Sequence, residues 1–499
     1  MTVVYESPDG SRRVSLDSDA AGNRVVEQRI RTIDGRSLVI RHQHPDVLTH
    51  PYFVEGVNPE ACLYQGRFGF AADSNPTMLE GDIRFKWSPN TRIVAQGFRD
   101  VSLVDLHDSL KPLDERLWMD LATVRFPSGV KGFVQSKDCV LADPPERSSL
   151  YQDEIGPQEL GAGPVDSIRF LVPNGWDAYD GSMVCSPDNF TYSWNARVQV
   201  QSSDWSVTID RTKQASRRDF WKGLKDVGGS AVTHIGELRR AGGAEFEPKD
   251  AAEVMESIRL LLNVAVGRRI NPVLPVGWRG DDVMWARWSV PPVDRMKNVS
   301  SWLDPSIGSK QVRELLECGL NYLSNPKHQN AFRYAASYYV SANADVDVEP
   351  AIGLAVSGLQ LLAHQRLVNE KKKYASSNAF ESSVKNTEGE IREFLNDCHI
   401  DTYIPAHLSA LQTAAAAMPL SQGLERDALG AVIYLRNKMV HPTKTLDRWN
   451  GYAWAEASMV ARHFLRLGIL NMLGYAGQHK SALSLNRWTG SVDPVPWVE

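Results

Sequence analysis

The chain has 499 residues, enough for two to four domains at roughly 100–200 residues each. Its composition, 42% hydrophobic and 23% charged, suits a globular chain with real cores. Its formal net charge of −5 excludes a global electrostatic pull on nucleic acid, so any RNA contact has to be local. Cys62, Cys139, Cys185, Cys318 and Cys398 are scattered without CxxC or zinc spacing, which argues against a disulfide framework or zinc finger and for reduced thiols in the cytosol. The first residues, MTVVYESPDGSRR, have no apolar signal core. No apolar run reaches the ~20 residues that cross a bilayer; LRLGILNMLGYAG is short and carries Arg466 and Asn471. The expectation is a cytoplasmic protein without a membrane span, in which the Asn-x-Ser/Thr matches at Asn189 and Asn298 carry no meaning.

The first ~145 residues read as β-rich by alternation and turn spacing. RVVEQRIRTI, SLVIRHQ, IRFKW, RIVAQGF and VKGFVQS are strands, divided by Asp9-Gly10, Asp34-Gly35 and Ser128-Gly129. A linker is expected near Pro144-Pro145. Residues 165–305 read as a mixed α/β domain, continuous with the first or separate from it. NARVQVQ and WSVTIDRT are strands, and a helix starts near Ser216 and stops at Gly228-Gly229. VTHIGELRR is another strand, and 248–267 an amphipathic helix with Val254, Ile258, Leu261, Leu262 and Ala265 at helical spacing. A hairpin turns at Arg279-Gly280-Asp281-Asp282. From Ser309 the pattern is helical, with helices at 309–324, 328–343, 349–372, 380–397, 404–418, 421–440 and 448–475. Short loops between them point to an antiparallel bundle. The fold class is therefore α+β multidomain: a β-rich N-terminal half, an all-α region over 309–480 and a tail over 481–499.

The helix near 421–440 ends in Tyr434-Leu-Arg-Asn-Lys-Met-Val-His441-Pro442. Ala428, Val432, Leu435 and Met439 form its apolar stripe, with Arg436 and Asn437 off it. In an unbroken helix Arg436 and His441 diverge by about 140°. Pro442 pushes His441 out of the α region, so its imidazole swings back towards Arg436 at the helix end. Metal-free RNA cleavage requires a base near the 2′-hydroxyl, an acid near the leaving oxygen and a fixed cation for the developing phosphate charge. Histidine transfers protons near neutral pH, arginine offers a planar charged fork, and Asn437 orients phosphate or imidazole.

Arg436-Asn437-x-x-x-His441, followed by the long helix 448–475 ending in Leu473-Gly474-Tyr475, resembles the HEPN domain (higher eukaryotes and prokaryotes nucleotide-binding) in its ApeA-like branch. The resemblance covers roughly 309–480. It implies a metal-independent endoribonuclease that uses no cofactor and cleaves cellular RNA, with Arg436, Asn437 and His441 as catalytic residues. It also implies a homodimer or higher homo-oligomer whose two motifs share one cleft, and a role as an abortive-infection effector in anti-phage defence. Lys438 and Lys444 are candidate RNA contacts. The β-rich half would be the sensor or regulator, with a phage-derived trigger among its candidate partners. Two positions depart from the family pattern: Thr443 stands where silenced HEPN toxins carry a modifiable tyrosine, and Gln360 where many relatives carry glutamate.

Competing readings are plainer. Arg436 and His441 also suit a helix C-cap, and the HEPN module also fits a non-catalytic nucleotide- or protein-binding dimerisation role. Lys371-Lys372-Lys373 reads as a solvated helix end, and Phe332, Tyr338 and Tyr339 as core. Trp278, Trp285 and Trp288 read as packing between sheet and helix rather than a ligand pocket. His364 and His463 read as ordinary histidines in helical patterns. His42 and His44 alternate on one strand face without a third ligand, so no metal is assigned. The N-terminal half shows no Walker loop, GxSxG, HExxH or Rossmann glycine pattern.

Overall fold

The structure, a computed structural model, describes residues 3–6, 12–18, 24–31, 37–71, 77–100, 116–119, 148–186, 193–202, 204–297, 299, 301–344, 346–384, 386–419, 423–440, 451–485 and 488–498. The strand VKGFVQS, the three turn dipeptides before it, Pro144-Pro145, Asn189 and Asn298 lie outside the described residues.

Among the described residues the β-rich half forms three antiparallel sheets. In the first, β1 (Val3–Glu6), β2 (Arg12–Ser18), β3 (Arg24–Arg31) and β4 (Ser37–His44) pair in sequence order. The second contains β5 (Ala61–Ala71), β6 (Thr77–Lys86), β7 (Arg92–Asp100), β8 (Arg116–Met119) and β9 (Ser148–Glu154), ordered β8-β5-β6-β7-β9. The third is the centre of the molecule. Its strands are β10 (Gln158–Gly161), β11 (Ser167–Pro173), β12 (Ser182–Cys185), β13 (Ser193–Gln201), β14 (Trp205–Arg211), β15 (Val232–Arg240), β16 (Val273–Arg279) and β17 (Asp282–Trp288). They lie in the order β10-β17-β16-β11-β15-β14-β13-β12.

Period-2 patterning explains how this large sheet is covered. In β11, Phe170 and Leu171 point to opposite faces, and both are buried because both faces are covered. On one face Leu171, Ile235, Val276, Trp278 and Trp288 pack against Leu63, Phe68, Ile83 and Phe85 of the five-stranded sheet. On the other, Phe170, Val198, Ile209 and Leu238 join the helical core. Near the edge, β13 is covered on one face only, and its burial alternates as its sequence does. The central β15 takes a glycine where its neighbour needs room: Phe170 faces Gly236 directly, and a β-carbon there would lie 2.2 Å from the ring.

The helices are α1 (Arg218–Asp226), α2 (Ala252–Val266), α3 (Gly308–Leu323), α4 (Pro326–Asn343), α5 (Val348–His364), α6 (Ser377–Val384), α7 (Thr387–Asp397), α8 (Ser409–Ala416), α9 (Ala428–Val440) and α10 (Gly451–Met472). The short strands β18 (Gln478–His479) and β19 (Asp493–Pro494) follow. Gly267, at φ 70°, ends α2 by donating its N–H to the Asn263 carbonyl at 2.8 Å.

Several helices differ from their sequence pattern. The segment expected over 380–397 is two helices, because Asn386 caps α7 by accepting the Gly389 N–H at 2.7 Å. The helix expected to reach 372 ends at His364 and continues as a π-turn over Gln365–Glu370. The helix expected from 404 forms only over Ser409–Ala416, and α9 begins at Ala428.

The apolar core runs without a break from β11, β13 and β14 through α2 into α3, α4, α5, α9 and α10, across the junction expected near residue 305. Leu261 of α2 sits where a β-carbon of Gly319 in α3 would stand, so these two helices approach closely. Residues 481–499, expected as a tail, include a return to the bundle: β19 pairs with β18, Val495 is fully buried, and the Trp497 indole donates to the Tyr475 carbonyl at 2.7 Å. Among the described residues no helix is long and apolar enough to cross a membrane.

Candidate functional site

The residues expected from sequence to carry chemistry lie at the end of α9, a helix anchored at its start. Asp427 stands before its first residue. One oxygen of its carboxylate accepts the Gly430 N–H at 2.8 Å, as a capping aspartate should. The Thr402 hydroxyl donates to the other oxygen at 2.6 Å, and Arg392 of α7 grips both oxygens at 2.7 and 3.1 Å. Arg392 also bonds Glu388 at 2.5 Å and pairs with Glu425 at 3.2 Å. Burial alone would raise the Asp427 carboxyl; the bonds from Arg392, Thr402 and Gly430 outweigh it and hold the group below the usual carboxylate range. The start of α9 is thereby tied to α7 and to the loop carrying Thr402.

From Ala428 to Leu435 every residue of α9 is buried. This corrects the one-sided stripe expected from sequence: the helix runs through the interior and needs apolar or small side chains all round. It emerges at Arg436. Arg436, Asn437, Lys438 and Met439 are half-buried, and Val440 is exposed. Arg436 Nη1 donates to Asn437 Oδ1 at 3.2 Å. The Lys438 ammonium lies 5.4 Å from the centre of the Tyr434 ring. Met439 reaches back to α5, where a β-carbon on Gly353 would meet its methyl at 3.3 Å. The structure therefore brings Arg436, Asn437 and Lys438 together at the mouth of a buried helix. His441, Pro442, Thr443 and Lys444 lie outside the described residues.

Other sequence readings resolve individually. Gln360 donates to Glu390 at 2.7 Å and to Thr387 at 3.3 Å, joining α5 to α7; a glutamate there would face another carboxylate. Lys371 pairs with Asp397 at 2.6 Å and Lys373 with Glu393, as a solvated helix end does. Phe332 and Tyr339 are core, and Tyr338 packs against that core. His364 bonds the Ser377 hydroxyl at 2.7 Å. Trp278 and Trp288 pack between the two large sheets. Trp285 differs: it packs on the helix-side core and lines a cleft of about 680 Å³ with Arg259, Arg287 and the start of α2, its indole donating to Glu159 at 2.7 Å. Among the described residues no cluster of three or more metal-ligating side chains is present.

In sequence His463 reads as an ordinary histidine, and Arg466 only as a charge that interrupts an apolar run. Both are almost fully buried in α10, and Arg466 Nη2 donates to His463 Nδ1 at 2.8 Å. The available signal was their three-residue spacing inside an apolar run, since arginine is almost never fully buried without a purpose or a partner.

Residues 161–299 match the YopA central domain, and residues 325–494 match the YopA C-terminal domain. The chain is similar to YopA proteins along most of its length. "SPbeta prophage-derived uncharacterized protein YopA" of Bacillus subtilis (strain 168) is 22% identical over 448 residues, covering 88% of this chain and 96% of that protein. No solved structure matches. The YopA central-domain match spans the eight-stranded sheet from the end of β10 to β17, with α1 and α2. The YopA C-terminal match begins at Asn325, the cap of α4, and reaches β19, so Arg436, Asn437, His463 and Arg466 all fall inside it.

Proposed function

We propose that this protein is a metal-independent endoribonuclease of HEPN type, acting as a homodimer on cellular RNA, with Arg436, Asn437 and His441 as its reactive groups. One observation carries this reading: a helix buried on all sides from Ala428 to Leu435 opens to solvent where it presents a guanidinium and a carboxamide 3.2 Å apart. A guanidinium at such a mouth suits the charge that builds on a phosphate, and the carboxamide keeps a donor and an acceptor beside it. The five residues from Arg436 to His441 leave the imidazole the proton-transfer role. The β-rich half, packed on the helical part through one continuous core, is suited to regulate it. The prophage origin of the Bacillus relative accords with a phage-linked role, here abortive infection.

The test is incubation of the full chain with total RNA in EDTA, alongside Arg436→Ala and His441→Ala variants shown to be folded by circular dichroism. Cleavage by the wild type alone is the expected result. Equal cleavage by the folded His441→Ala variant removes this mechanism.

A further inference from the structure

The interface of α4, α10 and β18 contains a group of buried polar side chains with unmet hydrogen-bonding capacity. Arg466 is 2% exposed, and its Nε has no hydrogen-bond partner. The Nδ1 of His479 and both amide atoms of Asn343 are likewise buried without a hydrogen-bond partner, and the buried Tyr339 hydroxyl has Arg466 as its neighbour. His463 accepts from Arg466 at 2.8 Å, which makes its Nδ1 an acceptor and the imidazole neutral. Its ring lies 6.0 Å from that of His479, centre to centre.

Two other arginines and a lysine in the molecule are better compensated. Arg197 is paired with Asp210 at 2.7 Å. Arg268 donates to the carbonyls of Asn174 and Gly175 at 2.5 and 2.7 Å and has Asp294 nearby. Lys480, beside the cluster, is answered by Asp304 at 3.2 Å. Burial lowers Arg466, His463 and His479; beyond it, the Arg466 charge lowers both histidines and His479 lowers His463, while the Tyr339 hydroxyl raises Arg466 by charge and by hydrogen bond. Among the described residues no carboxylate forms an ion pair with Arg466. A guanidinium does not shed its proton under protein conditions, and an uncompensated buried charge costs several kcal/mol. The unpartnered atoms are mainly donors, the Arg466 Nε–H, the Asn343 NH2 and, in one tautomer, a ring N–H of His479, against the single acceptor Asn343 Oδ1.

We propose that Arg466, His479, Tyr339 and Asn343 enclose a binding site for a small inorganic anion. Each of the four side chains is less than 7% exposed, so the occupant is shut off from bulk water. That enclosure fits a halide or a small oxyanion and excludes a nucleotide. The bound anion neutralises Arg466 and locks α4 and β18 onto α10, the helix that follows the Arg436 segment in sequence. The site is independent of the nuclease reading.

The test has two parts. First, the purified full chain, exchanged extensively into a chloride- and phosphate-free buffer, is denatured and the released ions measured by ion chromatography. Second, thermal unfolding is followed while sodium chloride or sodium phosphate is titrated in at constant ionic strength set with gluconate. Near-stoichiometric release, or a saturable rise in melting temperature with one of the two salts, is expected; the salt that acts distinguishes halide from oxyanion. Arg466→Met should abolish the response. Should that variant fail to fold, Asn343→Leu should weaken the apparent affinity about tenfold or more while remaining folded. Neither release nor a saturable response in the wild type, or a response unchanged in a folded Arg466→Met or Asn343→Leu variant, overturns the proposal.

Discussion

Arg392 and Asp427 meet through two nitrogens and two oxygens, at 2.7 and 3.1 Å, and this bidentate pair fixes where α9 begins. The carboxylate also caps the helix and receives the Thr402 hydroxyl. Asp427→Ala removes the cap and leaves Arg392, whose side chain is 15% exposed, with Glu388, the Thr402 hydroxyl and the exposed Glu425. Loss of the cap alone costs about 1 kcal/mol. Disruption of a largely buried ion pair adds to it, for a total of about 2–4 kcal/mol. Chemical denaturation should show this as a lower midpoint with an unchanged slope, and Asp427→Asn, which keeps a capping oxygen, should lose less.

The pairing of Gly236 with Phe170 gives a second test, in the central sheet. The two residues are direct cross-strand partners, and the phenyl ring occupies the space above the glycine. Gly236→Ala places a methyl 2.2 Å from that ring and should destabilise by about 1–3 kcal/mol through overpacking. Combining it with Phe170→Leu should cost clearly less than the sum of the two single changes. Strict additivity in a denaturation cycle would show that the ring and the glycine do not compete for the same space.

These two sites show what the sequence made legible. The strands WSVTIDRT and VTHIGELRR, the helix ended by Gly267 and the hairpin at Arg279–Asp282 all follow from period and turn chemistry, which are local. The need for Gly236 is not local, because it arises from Phe170 across the sheet. The same holds for α9, whose pattern suggested one apolar stripe. Small residues such as Gly430 and Ala431 read as neutral in sequence, yet they are buried because other helices enclose that side too. Arg436 was legible as a polar break after an apolar run. Arg466 was not, since the atoms that would identify its role come from Tyr339, Asn343 and His479 on other elements.

Two histidines in the β-rich half predict acid sensitivity. Burial pushes His50 down to about 3, and burial, then the Arg211 charge, hold His234 well below its ordinary value. His234 is stacked on Trp176 at 3.9 Å, with no room for the hydration an imidazolium needs. Both remain neutral in the folded chain as the pH falls through about 6.5, while the unfolded chain takes up protons there. The unfolded state then binds more protons, so stability falls with decreasing pH, by up to about 1.4 kcal/mol per unit for each residue, until the folded-state values are reached. With anion concentration held constant, melting temperature should decline from pH 7 to pH 4. His50→Gln, whatever its effect at pH 7, should flatten that decline; an unchanged slope would show that His50 is not among the groups responsible.

The end of α9 yields the functional prediction. If Arg436 meets the charge that develops on a scissile phosphate, its removal should cost about 10²–10³ in rate, the range for losing one fixed electrostatic stabiliser. Arg436→Lys keeps the charge but loses the planar fork and the donor to Asn437, and should recover only part of that loss. Asn437→Ala frees the guanidinium from its neighbour without removing it, so its effect should be smaller than that of Arg436→Ala. None of these positions belongs to the wholly buried part of α9, so thermal stability should change little while RNA cleavage in EDTA falls in the order Arg436→Ala, Arg436→Lys, Asn437→Ala, the first being slowest. A reversed order, or rates that track melting temperature instead of the substituted group, would assign Arg436 to holding the helix end and not to chemistry.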